Sequence, residues 1–99
     1  MADIRRLGGP LVRVEQAAVE DLKNRESTLT EAQLLDGVAT AERVLVEEAK
    51  LGAAGPDFDS AVKGLEEALR SLYRARIANP SISDAERARW RAALVKQGG

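Results

Sequence analysis

Paired acids are the first residues able to do chemistry in this chain. Glu47-Glu48, Glu66-Glu67 and the Asp57/Asp59 pair are the groupings dense enough for general acid–base work or for a hard cation. Asp57-Phe58-Asp59 lacks the further oxygen ligands and the glycine of a calcium loop, and Glu47 and Glu67 are placed on wet helix faces, so capping and solubility account for these acids. Ser27, Ser60, Ser71, Ser81 and Ser83 have no imidazole to activate them, because the chain contains no His. It contains no Cys either, which removes thiol nucleophiles, disulfide scaffolds and most transition-metal sites. Gly8-Gly9 is too short and badly spaced to cradle a phosphate. The expectation is a protein that is not an enzyme, with no catalytic residues, no metal ligands and no cofactor.

Binding chemistry is better represented. Arg87, Trp90, Arg91 and Leu94 put an aromatic anchor among guanidinium groups, the composition enriched at protein interfaces. These residues form a candidate interface, with the alanine side of the same helix (Ala85, Ala88, Ala92) docked inward. The competing reading buries Trp90 as the core anchor and turns the alanines to solvent, and a chain with 3% aromatic residues gains much by burying its one Trp. Arg70, Arg74, Arg76, Arg89 and Lys96, with Tyr73 and Trp90 interleaved, form a candidate basic patch able to contact phosphates and stack bases. Its alternative is a solvated face neutralised by acids such as Glu66, Asp84 and Glu86. Ile4, Arg5, Arg6 and Leu7 form a candidate docking arm.

Charge is divided along the chain. Residues 1–69 hold 8 Lys/Arg against 14 Asp/Glu, whereas residues 70–99 hold 7 against 2, within a net charge of −1. So balanced a total selects neither nucleic acid nor an anionic membrane. A basic C-terminal third could instead meet the acidic body of the next copy, head to tail.

The elements that must position these residues are helical. Seventeen alanines and few β-branched or aromatic residues favour helix over strand. Spacings of three and four place a first helix over about 11–24, with Leu11, Val14, Ala18 and Leu22 along its stripe and Val12 and Val19 on the flank. Thr30 and Gln33 form a capping box, with Leu29 stapled to Leu34, opening a second helix over about 31–51. Its stripe is Leu34, Val38, Ala41, Leu45 and Ala49, widened by Leu35 and Val44, and Gly52 ends it. After the Gly52–Pro56 reversal, a third helix over about 58–78, capped by Asp57 or Asp59, carries Phe58, Ala61, Val62, Leu65, Leu69, Leu72 and Tyr73. Ser83 with Glu86 offers another capping box for a fourth helix over about 84–96.

These patterns predict an all-α fold, a small helical bundle built on an antiparallel hairpin of the second and third helices, with the shorter first and fourth helices around it. Residues 1–10 read as a flexible or docking arm, 11–97 as one domain, and Gly98-Gly99 as a frayed tail. No run is apolar enough to cross a membrane, and the expected setting is the cytoplasm or a particle assembled inside the cell. The functional expectation is a protein-interaction or assembly subunit, an adaptor or structural component of a homo-oligomer; head-to-tail connectors of virus- or phage-like particles are one setting for such proteins, by fold-level analogy alone. A nucleic-acid-binding regulator using the Arg-rich third is the alternative.

Overall fold

A computed structural model describes residues 10–98. Four helices occupy most of this span: α1 (Pro10–Asn24), α2 (Glu31–Lys50), α3 (Pro56–Ile77) and α4 (Asp84–Lys96), with a 3-10 turn at Glu26–Thr28 between α1 and α2. No strand occurs among the described residues. The fold is all-α, a small bundle.

Local chemistry sets the helix ends. Thr30 Oγ1 accepts from Gln33 N at 3.1 Å while Gln33 Oε1 accepts from Thr30 N at 2.8 Å, the reciprocal pair of a capping box. α2 ends where Gly52 takes φ +89°, with Gly52 N donating to Ala49 O and Ala53 N to Glu48 O, the paired bonds of a Schellman turn. α3 starts two residues earlier than the aspartates suggest: Gly55 (φ +100°) is its N-cap and Pro56 its first residue. Asp57 and Asp59 therefore lie within the first turn, where their charge complements the helix dipole without capping it.

α2 and α3 are the antiparallel arms of a hairpin that touch each other sparsely; α1 packs against both arms, and α4 packs chiefly against α3. α1 packs most extensively, running antiparallel to α2 and parallel to α3, with Leu22 against Gly37 and Gln16 against Gly64. A Cβ on Gly37 would overlap Leu22 Cδ1, and one on Gly64 would overlap Gln16 Oε1. One glycine on each arm thus brings α1 close.

This seating fixes which face of α1 is buried. Val12 and Val19 are fully buried, whereas Val14 is 62% exposed and Leu11 and Ala18 also face solvent. The expected stripe is therefore rotated, its flank becoming its centre. On α2, Leu34, Val38 and Ala41 are buried as the spacing predicts, but the last inward position belongs to Glu48, and Ala49 is exposed. α3 buries Ala61, Leu65, Ala68, Leu69, Leu72 and Tyr73 along one face.

Candidate interaction surface

The fourth helix takes the core reading. Trp90 is 2% exposed and stacks at 5.5 Å, tilted 36°, on Tyr73 of α3. Leu94 packs half-buried against the same core, while Ala85, Ala88, Ala92 and Val95 face outward. Of the two readings of α4, the one with Trp90 inward and the alanines facing solvent is the one the helix adopts, which takes Trp90 out of the candidate interface. The small alanine methyls bury little area, whereas the indole buries much.

Beneath Trp90 lies a polar hub that spacing could not show. Arg76 on α3 is 5% exposed, and its Nε donates to Glu86 Oε2 at 2.7 Å. Its Nη1 donates to Glu26 Oε2 at 3.1 Å and to the carbonyls of Glu26 and Leu29, both at 2.9 Å. Trp90 Nε1 donates to the same Glu86 oxygen at 2.9 Å. Asn79 Nδ2 donates to the same Glu26 oxygen at 2.8 Å. A buried charge is tolerated when its hydrogen bonds are made, and here Nε and Nη1 of Arg76 are both engaged. Burial disfavours the charge on both partners and is the largest single influence, but the hydrogen bonds and opposite charges together outweigh it: Glu86 and Glu26 hold Arg76 above the usual arginine value, and Arg76 and Trp90 hold Glu86 below the usual carboxylate value.

Because Glu86 is committed to Arg76 and Trp90, only half of the second capping box forms. Ser83 Oγ accepts from Glu86 N at 3.1 Å, and the Glu86 side chain turns inward instead of returning to Ser83. Arg87 serves the end of α3, donating to Ile77 O at 3.0 Å and Asn79 O at 2.9 Å, besides its pairing with Asp84.

The remaining basic residues do not form one patch. Arg70 is bonded to Glu67 and to Gln97 O, and Arg74 pairs with the other oxygen of Glu67. Those two hydrogen bonds hold Glu67 below the usual carboxylate value. Arg89 grips Glu31 on α2 with two bonds of 2.7 Å, which lower the Glu31 pKa and raise that of Arg89. Arg91 and Lys96 are exposed and form no ion pair among the described residues. Ile4, Arg5, Arg6 and Leu7 lie outside the described residues.

A more coherent surface lies on α2. Leu35, Ala39, Glu42, Val46 and Ala49 recur at helical spacing and all are exposed, Leu35 by 49% and Val46 by 53%. Leu35 and Glu42 border the groove beneath α4, beside Tyr73, Trp90 and Lys96. Val46 lies eleven residues beyond Leu35 on the same face, and half-buried Val62 lies eleven residues before Tyr73 on α3. α4 returns along α3 only as far as Arg70, whose guanidinium holds Gln97 O. The α2/α3 face beyond this point, with Val46 and Val62, therefore continues past the end of α4. Amphipathic patterning of α2 singles out its inner face and misses this second stripe, which two-sided apolarity could have signalled.

Glu48 is the other residue that sequence reasoning missed. It is 1% exposed, neither carboxylate oxygen has a hydrogen-bond partner among the described residues, and it lines a groove of about 180 Å³ with Leu11, Val44 and Leu51. Among the described residues no group of three or more Asp, Glu, His or Cys is arranged to hold a metal ion. No helix among them is long and apolar enough to cross a membrane. No protein-family model matches the chain, and no curated protein or solved structure matches it either.

Proposed function

We propose that this chain is a non-enzymatic interaction and assembly subunit that self-associates through the outward face of α2. The carrying observation is the exposed stripe Leu35–Ala39–Glu42–Val46–Ala49, apolar except for Glu42, next to an α2/α3 face that α4 covers only in part. An amphipathic helix buries one stripe in its own domain, and a second exposed stripe is what a partner surface requires. The half-buried Val62 adds apolar surface on the α3 side. The head-to-tail connectors of phage-like particles are one setting for such a subunit. The nucleic-acid reading has weaker support, since Arg76 is buried and Arg70, Arg74, Arg87 and Arg89 are engaged within the chain.

Light scattering after size exclusion tests the proposal. The wild type should show a defined oligomer that Val46→Glu dissociates, with helicity and Trp90 fluorescence unchanged, while Val95→Glu on α4 leaves the mass unaltered. A wild-type monomer at every concentration overturns the reading. DNA or RNA binding that weakens steeply with salt and disappears in Arg91→Glu would replace it with the alternative.

A further inference from the structure

We propose that two copies of this chain pair their α2 helices antiparallel, about a two-fold axis crossing the helix between Thr40 and Ala41, in a register fixed by Asp36 and Arg43. The inference rests on self-association through the outward face of α2 and gives that contact its partner geometry. Spacing is the first reason. Ala32, Leu35, Ala39, Glu42, Val46 and Ala49 alternate steps of three and four, the roughly 3.5-residue repeat of a coiled-coil seam, and all are exposed. The inner stripe of Leu34, Val38, Ala41 and Leu45 is committed to the chain's own core, so the seam is a second face of the same rod.

Register is the second reason. With the axis at the midpoint of the 20-residue helix, the seam positions pair entirely with one another. Ala32 meets the partner's Ala49, Leu35 meets the partner's Val46, and Ala39 meets the partner's Glu42. The two large apolar side chains thus share a layer. The small Ala39 leaves room for Glu42 to turn into the groove that Lys96 borders in its own copy. Charge complementarity is the third. Asp36 and Arg43 are exposed and lie two turns apart on one edge of the seam, the edge away from Val38 and Leu45. A two-fold axis perpendicular to antiparallel helices brings the same edge of both together. Asp36 then lies beside the partner's Arg43, and Arg43 beside the partner's Asp36. Sliding by one heptad sets Arg43 against the partner's Arg43 in one direction and Asp36 against the partner's Asp36 in the other. A parallel pair stacks Glu42 on the partner's Glu42. Like charges therefore oppose each of these alternatives.

Charge exchange and introduced cysteines in the full chain test the register. By sedimentation equilibrium the wild type should be a dimer, and Asp36→Arg or Arg43→Asp alone should weaken it at least about tenfold at low salt, since each turns two attractive contacts repulsive. The double variant Asp36→Arg/Arg43→Asp should recover to within about threefold of wild type, with helicity unchanged in all three. The chain has no Cys, so introduced thiols report proximity without background. Under mild oxidation, Ala32→Cys mixed with Ala49→Cys should form a mixed disulfide. Neither variant alone should link to itself, because like positions lie roughly 25 Å apart along the antiparallel pair. A dimer that Val46→Glu dissociates but that ignores the charge exchange overturns this register and leaves self-association through α2 standing. Ala32→Cys that links to itself in such a dimer does the same. A wild-type monomer overturns both readings, and a mass above the dimer overturns the closed two-fold pairing.

Discussion

Trp90 donates its indole N–H to Oε2 of Glu86 across 2.9 Å, and Arg76 Nε approaches the same oxygen at 2.7 Å. A single carboxylate thus satisfies the core aromatic and a buried guanidinium together. Removing it leaves both donors stranded.

Glu86→Ala should therefore cost about 3–5 kcal/mol, the penalty of breaking a buried ion pair from one side. Trp90→Phe keeps most of the ring against Tyr73 and forfeits the hydrogen bond, at about 1–2 kcal/mol. Urea denaturation followed by circular dichroism measures both. Since small domains are stable by about 5–15 kcal/mol, Glu86→Ala should leave a partly unfolded population at moderate temperature.

Acid should destabilise the fold through the same residue. Burial pushes the Glu86 carboxyl up, but the hydrogen bonds from Arg76 and Trp90 and the charge of Arg76 leave it below the usual 4.5. A value depressed in the folded state gives stability that is complete above the unfolded value and fades as pH falls through the folded one. The urea midpoint should hold down to about pH 5 and drop below it. Glu86→Gln should start lower and show a flatter decline.

Alkali probes the opposite sign. Burial of the Tyr73 hydroxyl, helped by the Glu42 charge, pushes its pKa up from 10.0 to about 12. The neutral phenol is favoured in the folded state, so its contribution is complete below pH 10.0 and is lost as pH rises toward about 12. Ultraviolet titration of the chain's one tyrosine should show tyrosinate well above the free-phenol range, and Glu42→Gln should lower that midpoint slightly.

The two helix-seating glycines should respond differently to the same change. Gly→Ala in a helix interior gains about 1 kcal/mol of propensity. At Gly64 the obstacle is the amide end of Gln16, which is only half-buried and can rotate away, so Gly64→Ala should be neutral or stabilising. At Gly37 the obstacle is a methyl of Leu22, packed against the core, and overpacking should outweigh the gain for a net loss of about 1–2 kcal/mol. Melting temperatures of the two variants check the contrast.

The parts of the fold legible in the sequence are those written locally. The Thr30/Gln33 box, the Gly52 turn and the α3 stripe depend on neighbours within a turn or two, and they form as their residue types predict. The rotation of α1 was not legible, because Val12/Val19 and Val14/Ala18 make comparable stripes until Gly37 and Gly64 decide which side approaches. The orientation of α4 was ambiguous for a related reason: Glu86 and Arg87 occupy its inward half, and their polarity hides the apolar side that Trp90 defines. The Arg76 hub joins residues fifty apart with no spacing rule to announce them. Glu48 sat among solvating acids in the sequence, and only its burial sets it apart.

The acceptors of Arg76 come from Glu26 and Leu29 on one side of the chain and from Glu86 on the other. A half-assembled molecule, with α2 and α3 collapsed but either end still loose, would enclose a cation with part of its hydrogen-bonding shell missing. Such a species is penalised relative both to the open chain and to the finished fold. The guanidinium therefore acts as a checkpoint for cooperativity. Amides of α4 and of the 26–29 turn should exchange with solvent through a common opening event, so that the two distant ends of the sequence melt together.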